Sequence, residues 1–96
     1  MAIAESIEGT AGPVWFHYDL SGDVLYLRLI SARDVAASGE EDDSGLVVLR
    51  DQQTDRVVGM TIVNWWKRFG AGQVPDSVRD LAARIDPWAQ KAQAAA

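Results

Sequence analysis

The single histidine is the side chain best suited to acid–base chemistry in this sequence. His17 lies two residues before Asp19, so in a strand both side chains point to the same face. An imidazole beside a carboxylate can act as a general base. A nucleophile is missing. No serine lies in the Gly-x-Ser-x-Gly motif that exposes the nucleophile of serine hydrolases, and the chain has no cysteine. Two interpretations of His17 therefore remain. In the first, the chain is a small enzyme that uses His17 and Asp19; in the second, His17 is a strand residue that is hydrogen-bonded to a neighbour.

A second group that could do chemistry is a run of four adjacent carboxylates, Glu40, Glu41, Asp42 and Asp43. A calcium or magnesium site needs oxygen ligands that converge from alternating or distant positions. Four adjacent residues do not converge, and the run lacks the glycine and final glutamate of a calcium loop. No metal site is expected. The run is interpreted as a solvated loop whose functional use is to attract a basic partner.

The aromatic segment 65–69, with sequence WWKRF, is the third candidate. Base stacking is disfavoured because two cations are weak support in an acidic chain, and membrane anchoring needs a longer amphipathic face. Neighbouring residues on a helix point about 100° apart, so one tryptophan can pack on a sheet while the other is left for an interface. The sequence predicts an interaction surface that combines Trp65, Trp66 and Phe69 with the acidic run.

Composition bounds the remaining possibilities. The chain has 96 residues, a hydrophobic fraction of 48% and a net charge of -5, which predicts one compact domain with no attraction for nucleic acid. No cysteine is present, so nothing favours an oxidising compartment, and a cytoplasmic location is expected. Neither a signal peptide nor a membrane span is expected. Gly70-Ala71-Gly72 lacks the lysine of a phosphate-binding loop, and no cofactor is expected.

The elements that position these groups are read from hydrophobic periodicity. Residues 1–12 are expected to form a flexible N-terminal arm, and residues 31–44 a solvated polar loop or a loosely paired edge. Between and after them, apolar and β-branched segments predict four strands. These strands span residues 14–19, 24–30, 46–50 and 56–63. Short connections favour an antiparallel meander within residues 13–64.

The C-terminal residues 65–96 form the helical segment of the same domain. Asn64 can cap a short helix over the aromatic segment. Val78, Leu81 and Ile85 make the apolar stripe of a second helix, which Asp86-Pro87 should break before a third. The predicted fold class is therefore α+β: a four-stranded antiparallel meander sheet followed by two or three short helices that pack on one of its faces.

Both faces of this sheet are mostly apolar. In the second predicted strand, Leu25, Leu27 and Leu29 share one face, while the other face is shared by Val24, Tyr26, Arg28 and Ile30. The C-terminal helices can cover only one face of a domain this small. The sequence therefore predicts a homodimer, in which the second face or an exposed edge is closed by another copy.

Several short motifs follow one another in the order found in a bacterial family. They are Tyr18-Asp19, Asp23-Val24-Leu25-Tyr26-Leu27, Gly45-Leu46-Val47-Val48 and Arg56-Val57-Val58-Gly59-Met60-Thr61-Ile62. On these motifs, residues 15–64 resemble the bacterial domain of unknown function 2283 family. The sequence departs from the family pattern at Gln53-Thr54-Asp55, where members usually turn with a glycine, and at Thr61, where an acidic residue is common.

The resemblance implies a small β-rich domain with no assigned catalytic residues. It also implies a link to toxins, because the genes of some family members look like neighbours of genes for small toxin-like proteins. The first hypothesis is therefore a non-catalytic, self-associating protein-interaction module. An antitoxin-like binder of a small basic protein is the alternative within the same class. A small enzyme that uses His17 and Asp19 is the alternative from another class.

Overall fold

A single antiparallel sheet forms the framework of the molecule. The computed structural model describes residues 6–75 and 77–95, so residues 1–5 of the expected arm and Ala96 lie outside the described residues. The strands are β1 (Ser6–Ala11), β2 (Val14–Asp19), β3 (Val24–Leu29), β4 (Ala37–Glu41), β5 (Leu46–Asp51) and β6 (Val57–Val63). They are hydrogen-bonded in the order β1-β2-β3-β6-β5-β4. A 3-10 turn (Ile30–Ala32) and two helices, α1 (Trp65–Phe69) and α2 (Val78–Ala95), complete the fold.

The predicted four-stranded sheet is wrong, because two further strands form where little apolar sequence exists. Strand β1 lies in the expected arm, and β4 lies in the acidic segment 31–44, which the predicted sheet leaves out although a loosely paired edge is one of the two expectations for it. Each pairs antiparallel with its neighbour over its full length, from Ser6 opposite Asp19 to Ala11 opposite Val14 for β1. Backbone hydrogen bonds to the neighbouring strand stabilise β1 and β4. Because this stabilisation does not depend on apolar side chains, no hydrophobic run in the sequence indicates these strands.

The predicted strand order is also wrong, since β3 pairs with β6 and not with the next strand along the chain. Strand β6 is buried at Val57, Val58, Gly59 and Met60. A strand buried on both faces belongs inside a sheet. Strand β4, which is polar and exposed at four of its five positions, lies at the edge, where charged residues discourage further pairing.

One long helix replaces the predicted series of short ones. Helix α1 is little more than one turn, whereas α2 continues through Pro87 to Ala95. Proline lacks an N–H group and disturbs the preceding turn, but Pro87 lies on the exposed side of the helix. The apolar stripe continues on the buried side, where packing favours an unbroken helix. Its buried members are Leu81, Ile85, Ala89 and Ala92. Val78, which was expected in this stripe, is 46% exposed.

The core lies between α2 and one face of the sheet. Helix α2 contacts β1, β3 and β6, and the strands contribute Val14, Phe16, Tyr18, Leu25, Leu27, Met60 and Ile62. The residues that alternate with these face the other way, where no helix or strand among residues 6–75 and 77–95 packs on them; only Arg33 and Val35, from the segment after β3, reach this side, at Trp15 and Arg28. We call this surface the open face. No helix in the described part of the chain is long and apolar enough to cross a membrane.

Candidate functional site

His17 on the open face is hydrogen-bonded to a residue that the sequence did not single out. The β1–β2 register sets Glu8 opposite His17, and Nδ1 of His17 lies 2.7 Å from Oε1 of Glu8. Glu8 belongs to the segment expected to be a flexible arm. The alternation of Ile7, Gly9 and Ala11 on the helix-facing side was the signal that could have placed Glu8 beside His17.

Asp19 has a different task from the one proposed for it. Its Oδ1 accepts hydrogen bonds from the backbone N–H of Ser21 at 3.1 Å, the Ser21 hydroxyl at 3.0 Å and the backbone N–H of Gly22 at 3.3 Å. These bonds, with that of the Gly22 amide first, hold the pKa of Asp19 below its usual value. The carboxylate closes the turn between β2 and β3. Asp19 therefore shares a face with His17 but does not orient its imidazole.

A shallow groove of about 440 Å³ crosses the open face beside His17. Its walls include Trp15, Tyr26 and Leu49, and the ring centroids of Trp15 and Tyr26 lie 6.0 and 5.8 Å from that of His17. Gly59 lies between Arg28 and Leu49 in the strand register. A Cβ at this position would collide with the backbone oxygen of Leu27 and lie 3.2 Å from Cδ1 of Leu49, so neighbouring atoms fill this space and the position requires glycine.

Arg28 forms the cationic wall of this groove. Its Nη2 donates to the backbone oxygen of Val35 at 3.2 Å. Its Nη1 is buried without a hydrogen-bond partner, and the side chain forms no ion pair with any described carboxylate. The guanidinium of Arg33 lies 5.1 Å from the ring centroid of Trp15 at the same end. Half-buried charges are normally paired, so Arg28 is the least satisfied charged group described on this face.

The aromatic segment is divided between core and surface. Trp65 is 2% exposed and belongs to the core, Trp66 is half-buried, and Phe69 is 47% exposed. The Phe69 ring centroid lies 4.6 Å from that of Trp88 on α2. The interface role predicted for this segment can therefore fall only on Trp66 and Phe69.

The acidic run is also divided. Glu40 and Glu41 end β4, with Oε2 of Glu40 3.4 Å from Nε of Arg50. Asp42 accepts hydrogen bonds from the Ser44 hydroxyl at 2.7 Å, the Ser44 amide at 2.9 Å and the Leu46 amide at 3.0 Å. These bonds, led by the Ser44 hydroxyl, lower the pKa of Asp42. Asp42 therefore builds the β4–β5 turn, while Glu41 and Asp43 remain exposed.

Arg68 brings the aromatic and acidic groups together. Its Nη2 donates to the backbone oxygen of Ser44 at 2.5 Å, which ties the end of α1 to the β4–β5 turn. Phe69 and the carboxylate of Asp43 consequently belong to neighbouring parts of the surface. We call the surface formed by Trp66, Phe69 and Asp43 the aromatic–acidic surface.

No protein-family model, curated protein or solved structure matches this chain. The two candidate binding surfaces are the open face and the aromatic–acidic surface.

Proposed function

We propose that the protein is a non-catalytic interaction module that self-associates through the open face of its sheet. The observation that carries this proposal is the set of apolar side chains on that face which no described helix or strand covers. Tyr26 is 39% exposed and Val63 is 42% exposed, beside the half-buried Trp15, Val47 and Leu49. Contiguous exposed apolar residues on a small domain mark interaction sites.

The arrangement of this face supports a protein partner. Aromatic and aliphatic side chains occupy its middle strands, while Glu8 and Glu41 lie on its two edge strands. An apolar centre within a polar rim is the usual anatomy of a protein interface. A second copy of the face closes the surface with the fewest assumptions, because most homo-oligomers are dimers built from one self-complementary patch.

The oligomeric state tests this proposal directly. Light scattering during size-exclusion chromatography at micromolar concentrations should give twice the 10.5 kDa mass of one chain. Tyr26→Lys should return the mass of a monomer, because it places a charge in the buried centre of the interface. Phe69→Lys is the matched control, since it adds the same charge at an equally exposed aromatic residue away from the open face, and it should stay dimeric. A monomeric wild-type protein refutes the proposal.

A basic protein is the second candidate partner, at the aromatic–acidic surface. The hydrogen bond from Arg68 to Ser44 favours it, because this bond ties the end of α1, which carries Phe69, to the turn that carries the exposed Asp43. The resemblance to the domain of unknown function 2283 family supports an antitoxin-like form of this role, in which a cytoplasmic protein neutralises a small basic toxin.

Copurification from the native host tests the second candidate. A basic protein should be retained by the wild type and by Tyr26→Lys. Phe69→Ala should weaken its binding by about 2 kcal/mol, as expected for an aromatic hot spot. Retention that is equal for wild type and Phe69→Ala places the partner elsewhere. Circular dichroism on each variant separates a binding defect from unfolding.

A further inference from the structure

The most unusual electrostatic feature of the open face is Arg28, a half-buried cation that forms no described ion pair. A guanidinium removed from water costs free energy unless a counter-charge or hydrogen-bond acceptors replace the lost solvent. Among residues 6–75 and 77–95, Val35 supplies one acceptor, to Nη2, and Nη1 has none. Arg28 thus carries a charge that no described carboxylate compensates, and its side chain lines the groove of the open face, where an anion of another molecule can approach it.

The groove beside Arg28 leaves room for such an anion, because Arg28 and Leu49 are among its lining residues. The strand register shifts between Leu49 and Arg50 at this groove, and local irregularities of pairing occur next to sites where another group approaches a sheet. Trp15 and Tyr26 supply the apolar walls of the same groove.

The open face itself carries the complementary group. Tyr26, Thr61, Val47 and Glu41 are successive cross-strand partners, so Glu41 points to the same side as the groove. Glu41 is exposed and forms no ion pair with a described residue. The other edge carboxylate, Glu8, already accepts a hydrogen bond from His17. One face therefore holds an unpaired cation near its centre and an unpaired anion at its edge.

We propose that Glu41 of a second copy enters the groove and pairs with Arg28, and that Glu41 of the first copy does the same in return. This inference rests on the proposed self-association. Two-fold symmetry makes every contact occur twice, so one cation and one anion per chain give two ion pairs. Carboxylate and guanidinium geometries match, and such a pair can form two parallel hydrogen bonds. The pair would align the two sheets, whose apolar residues alone do not fix their orientation.

The first test compares two glutamates that differ in the face they occupy. Glu41→Gln should raise the dimer dissociation constant about 30-fold or more, as expected when one partner of an enclosed charge pair is neutralised. Glu40→Gln removes the same charge one residue away, on the opposite face, and should leave the dissociation constant unchanged. Neither variant removes a core contact. Sedimentation equilibrium gives both constants, and equal values for Glu41→Gln and the wild type overturn the inference.

The second test reverses the charges. Arg28→Glu should be monomeric, and the double variant Arg28→Glu with Glu41→Arg should recover the dimer, because it restores an ion pair of opposite polarity. A double variant that stays folded by circular dichroism but monomeric overturns the assignment to Glu41. Different outcomes refute the two proposals. A monomeric wild-type protein refutes the self-association. A wild-type dimer that Tyr26→Lys disrupts and Glu41→Gln does not affect refutes only the ion pair.

Discussion

Tyr18 donates a hydrogen bond of 2.6 Å from its hydroxyl to Oδ1 of Asp23. The same carboxylate accepts the backbone N–H of Trp66 at 2.9 Å and that of Lys67 at 3.0 Å. Asp23 thereby caps α1 from the β2–β3 turn, a role that the sequence suggested for Asn64, whose side chain makes no capping bond. The Tyr-Asp and Asp-Val-Leu-Tyr motifs thus contribute a structural joint, not a catalytic group.

Replacing Asp23 tests this joint. Asp23→Ala leaves the buried Tyr18 hydroxyl without an acceptor and α1 without its cap, so we expect a loss of about 2–4 kcal/mol in the free energy of unfolding. Urea unfolding followed by tryptophan fluorescence measures it. Asp34→Ala is the control, because Asp34 is exposed and makes no side-chain hydrogen bond in the described structure. Equal unfolding midpoints for Asp23→Ala and the wild type would contradict the assigned role.

The same carboxylate makes stability depend on acid. Burial alone raises the pKa of Asp23, but hydrogen bonds from the Tyr18 hydroxyl and the amides of Lys67 and Trp66 outweigh it and lower the pKa below 3.8. A pKa lower in the folded than in the unfolded state stabilises the fold above the unfolded value, and this contribution disappears as the pH falls through the folded value. The stability difference between wild type and Asp23→Asn should therefore shrink below pH 3.8. Unfolding curves across that range check it, and a constant difference would refute it.

The sequence predicts the middle of the sheet well and its edges poorly. Predicted strands at 14–19, 24–30, 46–50 and 56–63 coincide with β2, β3, β5 and β6 within one residue at each end, because apolar alternation there reflects burial. Strands β1 and β4 contain Gly9 and Gly39 and few apolar residues. They exist through pairing with a neighbour, which one segment of sequence cannot reveal.

The candidate sites show the same limit. The sequence identifies His17 because histidine is rare here, but its partner Glu8 depends on the β1–β2 register. The sequence does not indicate that Arg28 lacks an ion pair, since an arginine that alternates with leucines in a strand is common. Its unpaired state depends on which carboxylates the fold brings near it.

Helix α2 supplies a test of the core. Leu81 is completely buried, so Leu81→Ala should lower the free energy of unfolding by about 2–5 kcal/mol. Arg79 is exposed on the same helix, and Arg79→Ala should change it by less than about 0.5 kcal/mol. Chemical denaturation compares the two. Similar losses for both variants would show that α2 does not pack on the sheet through Leu81.

The two ends of the aromatic segment should respond differently to truncation. Trp65→Ala removes a core side chain whose ring lies 5.2 Å from that of Tyr18, and we expect a loss of about 3–5 kcal/mol. Phe69→Ala removes a half-exposed ring that contacts Trp88, with an expected loss of about 1 kcal/mol. Thermal unfolding by circular dichroism distinguishes them. If Phe69→Ala is as damaging as Trp65→Ala, Phe69 is a core residue and cannot be assigned to an interaction surface.

The acidic run gives a prediction in which neighbouring aspartates differ. Asp42→Ala removes the acceptor of the Ser44 and Leu46 bonds that form the β4–β5 turn, so its melting temperature should fall by a few degrees. Asp43→Ala removes an exposed carboxylate that forms no described hydrogen bond, so its melting temperature should be unchanged. Binding of a basic partner should show the opposite order. Asp43→Ala should slow the association and weaken its salt dependence, because Asp43 is an exposed carboxylate. Equal melting temperatures for the two variants would show that the turn does not depend on Asp42, and the run would then act as the uniform solvated loop that its sequence suggests.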